Sequence, residues 1–114
     1  MNDHQKTIIR HRLGLALQKL LAQNKQDASG RPISSLHQLA ASADIEYYIV
    51  QTVSSGKKDP QWTTFVSIAN GFNIPVSKLA AAFEAVSDED ALKQIEKQKK
   101  NAKKKAAAKK RGRD

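Results

Sequence analysis

Between residues 34 and 83 the apolar pattern is interrupted three times at close intervals, and this limits the fold more than any other feature. The breaks fall at Asp44, at residues 56–60 and at residues 71–75. Each leaves only a few residues between periodic segments. Parallel strands need long crossover connections, and these gaps are too short for them. The chain therefore reads as all-α.

The periodic segments support this. Residues 7–24 place Ile9, Leu13, Leu17, Leu20 and Leu21 at helical spacing, with polar residues between. Gly14 weakens that helix by about 1 kcal/mol against alanine. Residues 23–32 then read as a polar loop. Ser34 or Ser35 can cap a second helix carrying Leu36, Leu39, Ala40 and Ala43 on one face. A third helix over residues 46–55 has Ile45, Ile49, Val50 and Val53, and Gly56 is placed to stop it. Its β-branched residues suit a strand, but strict alternation is missing. The fourth helix, residues 61–71, carries Trp62, Phe65, Ile68 and Ala69, with Phe72 beyond. The fifth starts near Pro75 with Val76, Leu79, Ala80 and Phe83. Ser87 and the acids Asp88, Glu89 and Asp90 restart a helix, since a capping serine and negative charge favour the positive end of the dipole. Leu92 and Ile95 give this sixth helix a short anchor.

Charge is distributed very unevenly. Residues 97–114 hold eight lysines and two arginines against one acid, Asp114, so that segment alone carries +9. The rest of the chain has ten cations and ten acids. A neutral body with a cationic tail suits polyanions, and Lys103, Lys104, Lys105, Lys109, Lys110, Arg111 and Arg113 are the expected nucleic-acid contacts of the tail. A merely solubilising tail is the plainer alternative. Repulsion between like charges is expected to leave the tail frayed or disordered when free. Its composition resembles the lysine- and alanine-rich extensions of chromatin-type proteins, and a nuclear-import signal is a further alternative.

The second and third helices have the pieces of a helix-turn-helix. Ala40 is small where two helices cross closely. Asp44 sits in the turn, where one residue adopts positive φ, which aspartate tolerates better than most side chains. Ile45, Val50 and Val53 fasten the third helix, leaving one face free for the DNA major groove. Here the sequence resembles the Xre/Cro-type helix-turn-helix domain of phage repressors and bacterial regulators. Leu39-Ala40, Ile45, Gly56-Lys57, Pro60, Ile68-Ala69, Ile74 and Leu79 stand where that family's pattern places them. The resemblance covers about residues 7–86. It implies a five-helix repressor-like domain over residues 1–86, followed by a basic extension, helical or disordered, over residues 87–114. It also implies a bacterial transcriptional regulator that binds double-stranded DNA, and commonly a homodimer. Four features depart from the pattern. Leu36 stands where many members have a DNA-contacting glutamine, Asp44 where glycine is usual, the loop after the first helix is longer, and Glu46, Tyr47 and Tyr48 open the recognition helix where Arg, Gln, Ser or Asn is usual.

Carried over from the family, the exposed recognition positions are Glu46, Tyr47, Tyr48, Gln51 and Thr52; Ser35, Lys57 and Lys58 complete the expected DNA-binding set as phosphate contacts. Tyrosine can donate to a phosphate or lie on a thymine methyl, and glutamine can pair with adenine. Lys57 and Lys58 can meet phosphate, and the start of the Ser34–Ser35 helix can also hold one. Glu46 can accept from a cytosine amine or favour its own helix N-terminus. One tyrosine of the pair is expected to pack partly against the second helix or the long loop. Adjacent tyrosines also suit a protein partner. An antitoxin-like interaction module and a nucleoid-type architectural protein therefore stand as alternatives.

Other chemistries find no support in the sequence. The absence of cysteine excludes disulfides and thiolate zinc sites. His4, His11 and His37 lack metal-ligand spacing, and His11 is expected only to add to a basic helix face with Arg10 and Arg12. No phosphate loop, nucleophile array or catalytic carboxylate pair stands out, so an enzyme and a cofactor are not expected. Trp62, Phe65, Phe72 and Phe83 are read as core rather than as a ligand pocket. No apolar run suggests a membrane span or a secretory signal, and the expectation is a cytoplasmic, nucleoid-associated protein.

Overall fold

In a computed structural model, the structure describes residues 1–27 and 33–111, with the side chains of the last helix described as far as Lys105. The described residues form six helices and no strand: α1 (Asp3–Gln26), α2 (Leu36–Ala43), α3 (Tyr47–Ser54), α4 (Trp62–Phe72), α5 (Val76–Glu84) and α6 (Asp88–Arg111). No helix among them is long and apolar enough to cross a membrane.

Local chemistry sets most of the helix ends. α1 starts earlier than its apolar pattern suggests because Asn2 and Gln5 form a reciprocal cap. The Gln5 N–H donates to Asn2 Oδ1 at 2.8 Å, and the Asn2 N–H donates to Gln5 Oε1 at 3.0 Å. Ser35 caps α2 by accepting from the Gln38 N–H, and Ser87 caps α6 by accepting from the Asp90 N–H. α2 and α4 end alike. Asp44 and Asn73 take left-handed conformations, φ 55° and 59°. The next residue, Ile45 or Ile74, sends its N–H back to Ala40 or Ala69 and packs against the core. Gly56, at φ +76°, turns the chain out of α3.

The core lies where α1, α2, α4 and α5 meet the inner side of α3. Leu17, Leu39, Val50, Val53, Ile68, Leu79 and Val86 are fully buried, each contributing roughly 1.5–3 kcal/mol by removal from water. α2 packs on α4, α1 on α3 and α5. Gly14 is a close-approach residue: a Cβ there would collide with the Ser54 carbonyl. The glycine that weakens α1 as an isolated helix is what lets α3 lie against it.

α6 is docked over its first half. Ala91 is buried, and α6 packs along α1. Arg12 joins α1 to the α5–α6 turn. Its Nε donates to the Val86 carbonyl at 2.7 Å and an Nη to the Phe83 carbonyl at 3.4 Å. Its guanidinium lies 4.3 Å from the Phe83 ring centroid, and the carboxylates of Glu84 and Asp88 stand 3.7 and 3.6 Å away.

Two expectations are corrected. Trp62 is not core: it is 67% exposed, though its ring stacks on Phe65 at 5.5 Å. It is the first residue of α4, so its ring overhangs the body instead of entering it. His11 does not extend a basic surface. It is 5% exposed, lies under Gly56, and its Nδ1 meets Gln94 Oε1 at 2.6 Å. An amide oxygen only accepts, so Nδ1 carries the proton.

Candidate nucleic-acid interface

α3 presents two faces of different character. Val50 and Val53 point inward and are fully buried. Tyr48 and Gln51 are exposed, Tyr48 by 65%. Glu46 precedes the helix at its cap position, exposed and without a side-chain capping bond. α3 thus offers solvent a short polar-aromatic ridge held from behind by valines.

The two tyrosines part company. Tyr47 is half-buried and stacks face to face on His37 of α2, with ring centroids 3.8 Å apart and planes 4° from parallel. This stack joins the outer sides of α2 and α3. It fixes the Tyr47 ring and leaves Tyr48 as the freely presented aromatic. Thr52 is half-buried, and its hydroxyl is directed to the Tyr48 and Ile49 carbonyls at 2.9 and 3.0 Å. Its two lone pairs can still accept, but donation to an outside group competes with the helix. Ser35 is exposed at the start of α2, with its oxygen engaged as the helix cap.

The C-terminal end of α3 is held by side chains from two other helices. Gln18 of α1 donates to the Ser54 carbonyl at 2.8 Å, and Gln98 of α6 donates to the Ser55 carbonyl at 2.9 Å. Arg10 Nε donates to the Gly56 carbonyl at 3.3 Å. Carbonyls at a helix C-terminus lack intrahelical partners, so the two glutamines complete the end of α3 and Arg10 holds the turn just beyond it. The N–H groups of Lys57 and Lys58 both return to the Thr52 carbonyl, at 3.0 and 3.2 Å. The turn is therefore fixed while both lysine side chains are exposed.

Gln98 also brings the basic segment to this place. Lys97, Lys99, Lys100, Lys103, Lys104 and Lys105 are exposed on α6. The side chains of Lys109, Lys110 and Arg111, and all of Arg113, lie outside the described residues. Tyr48, Gln51, Lys57, Lys58 and the α6 lysines are accordingly available to a ligand; Tyr47 and Thr52 are largely committed within the protein. His37, Gln18 and Gln98 were not singled out as site residues. Gln98 does have a sequence signature: Ala91, Gln94, Ile95, Gln98 and Ala102 recur at helical spacing as an uncharged stripe among charges. His37 and Gln18 carry no comparable signal. Among the described residues no cluster of three or more His, Asp or Glu could hold a metal ion. Comparison of the chain with protein-family models, with curated proteins and with solved structures finds no match.

Proposed function

We propose that this chain is a DNA-binding protein of the helix-turn-helix type, with a five-helix repressor-like body over residues 1–86 and a basic extension over residues 87–114. On this reading it is a bacterial transcriptional regulator of the nucleoid, and α3 enters the major groove. The observation that carries the reading is the division of α3: Val50 and Val53 buried, Tyr48 and Gln51 exposed. The left-handed turn at Asp44 supports it, as do two exposed lysines where the chain leaves α3. Tyr48 and Gln51 then read base edges, while Ser35, Lys57 and Lys58 hold phosphate and fix register. Glu46 restricts what the groove edge accepts.

The test is selection of bound sequences from random duplex DNA, repeated with Tyr48→Ala and Gln51→Ala. The expected result is an enriched motif that changes at one or two positions in each variant. Enrichment of no motif by the natural chain overturns specific regulation.

One observation favours a second reading. Exposed Trp62 lines an apolar cleft of about 530 Å³ with Ile9, Leu13, Phe65 and Phe83. Exposed tryptophan beside an apolar cleft suits a protein contact, whether a second copy or an antitoxin-like partner. Trp62→Ala distinguishes the readings: it abolishes a protein complex and leaves the selected DNA motif unchanged.

A further inference from the structure

We infer that the cleft between the α3–α4 turn and α6 grips the phosphate backbone of duplex DNA, making α6 a second arm in fixed register with α3. This deepens the DNA-binding reading and rests on it.

The cleft has a volume of about 600 Å³. Lys57 enters it from the turn, and Lys99 and Lys105 enter from α6. Gln98 and Asn101 supply amides, and Ile95 an apolar wall. No carboxylate is among the residues that line it. The acids near the start of α6 are engaged elsewhere, Asp88 with Arg12, Glu89 with Lys93 and Asp90 with Lys19. Three lysines from two elements thus converge with no ion pair of their own among the described residues. Such convergence is unfavourable in the free protein and becomes favourable once an anion enters.

The anion's form follows from the layout. Within the cleft the α6 cations Lys99 and Lys105 stand six residues apart, about 9 Å along the axis at 1.5 Å per residue. One DNA strand advances about 3.4 Å per phosphate, so this spacing suits successive phosphates of a strand rather than a single small ion. Neutral amides beside the lysines add donors without sequence preference, as phosphate contacts require.

The register follows from how α6 is attached. Gln98 bonds the Ser55 carbonyl, one residue beyond the end of α3. Gln94 bonds His11, and Ala91 is buried. The lysines just beyond Gln98 are therefore placed relative to Tyr48 and Gln51 before any DNA arrives. A loose tether would add attraction without position; this arm adds both.

The test compares two variants of the full chain that each lose two charges. Lys99→Gln with Lys105→Gln empties the cleft of its α6 cations. Lys100→Gln with Lys104→Gln removes two α6 lysines that do not line it. Binding is measured against salt on the selected duplex and on a scrambled one. The cleft pair is expected to weaken binding at least about tenfold and to lower the log–log salt slope by about 2, near 0.9 per phosphate contact. The outer pair is expected to change affinity about threefold or less. Equal losses from the two pairs overturn the inference, because the tail then acts by charge alone. Gln98→Ala removes no charge and is expected to weaken binding several-fold with helix content unchanged by circular dichroism. Unaltered affinity in that variant overturns the register.

A further arm titrates inorganic phosphate at constant ionic strength. Saturation of the amide shifts of Lys57 and Lys99 at millimolar phosphate, without competition against duplex, assigns the cleft to a free anion and overturns the inference. The scrambled duplex separates this inference from base reading. If selection yields no motif but the cleft pair still loses more than the outer pair there, base reading fails and the cleft stands. No duplex binding at low salt overturns both.

Discussion

α3 and α6 carry the candidate contacts, and they are held to the body in opposite ways. α3 is eight residues long and is anchored by fully buried valines, with its C-terminal carbonyls closed by donors from α1 and α6. α6 is 24 residues long; its described attachments are one buried alanine, two glutamines and ion pairs near its start. Apolar burial positions α3 steeply, since any shift exposes or crowds a valine. Polar ties position α6 at lower energy, and its last described turns carry lysines without ion pairs among the described residues. On the proposed reading this separates reading bases, which needs sub-ångström placement, from gripping phosphate, which tolerates more play.

The difference can be broken most sharply at the α3 anchor. Val53→Ala is expected to cost roughly 2–3 kcal/mol in denaturant unfolding, because it opens a cavity directly under the outer face. Gly14→Ala is expected to cost about 2 kcal/mol by the same measurement. Helix propensity alone predicts a gain of about 1 kcal/mol, so a stabilised variant would refute the close approach of α1 to Ser54. Arg12→Ala is expected to lower stability by about 2 kcal/mol, since it frees two carbonyls and an aromatic face at the α5–α6 turn. Hydrogen exchange should quicken first in α6, and equal quickening in α3 would contradict separate anchoring.

The tyrosines sharpen the comparison at smaller scale. Tyr47→Ala is expected to cost about 1 kcal/mol by losing the stack on His37. Tyr48→Ala should stay within about 0.5 kcal/mol of the natural chain, with its effect confined to the selected DNA motif. In α6 the stability effect is again small. Truncation before residue 97 removes the Gln98 tie, worth about 1 kcal/mol, and should leave the motif intact while general affinity falls.

Much of this was legible from local chemistry. The left-handed turn at Asp44, the stop at Gly56, the caps at Ser35 and Ser87 and the inward valines each depend on a few adjacent residues, and each appears where the sequence places it. Trp62 was misread because spacing puts it on the same face as Phe65 without saying whether that face is covered at the first residue of the helix. His11 was misread because a histidine between two arginines resembles a basic surface, whereas a glutamine 83 positions away takes it inside. The split between Tyr47 and Tyr48 could be foreseen in kind; which ring packs depended on His37 arriving from α2.

Residue order thus settles where helices start, stop and turn, and which side of each is apolar, because caps, φ preferences and periodicity act over a few residues. It also settles that the positive charge collects in the last residues. Where that charge lies relative to α3 is a matter of folding: the Gln98–Ser55 bond spans 43 positions, and a bond between residues so distant exists only once α1 and α6 have packed.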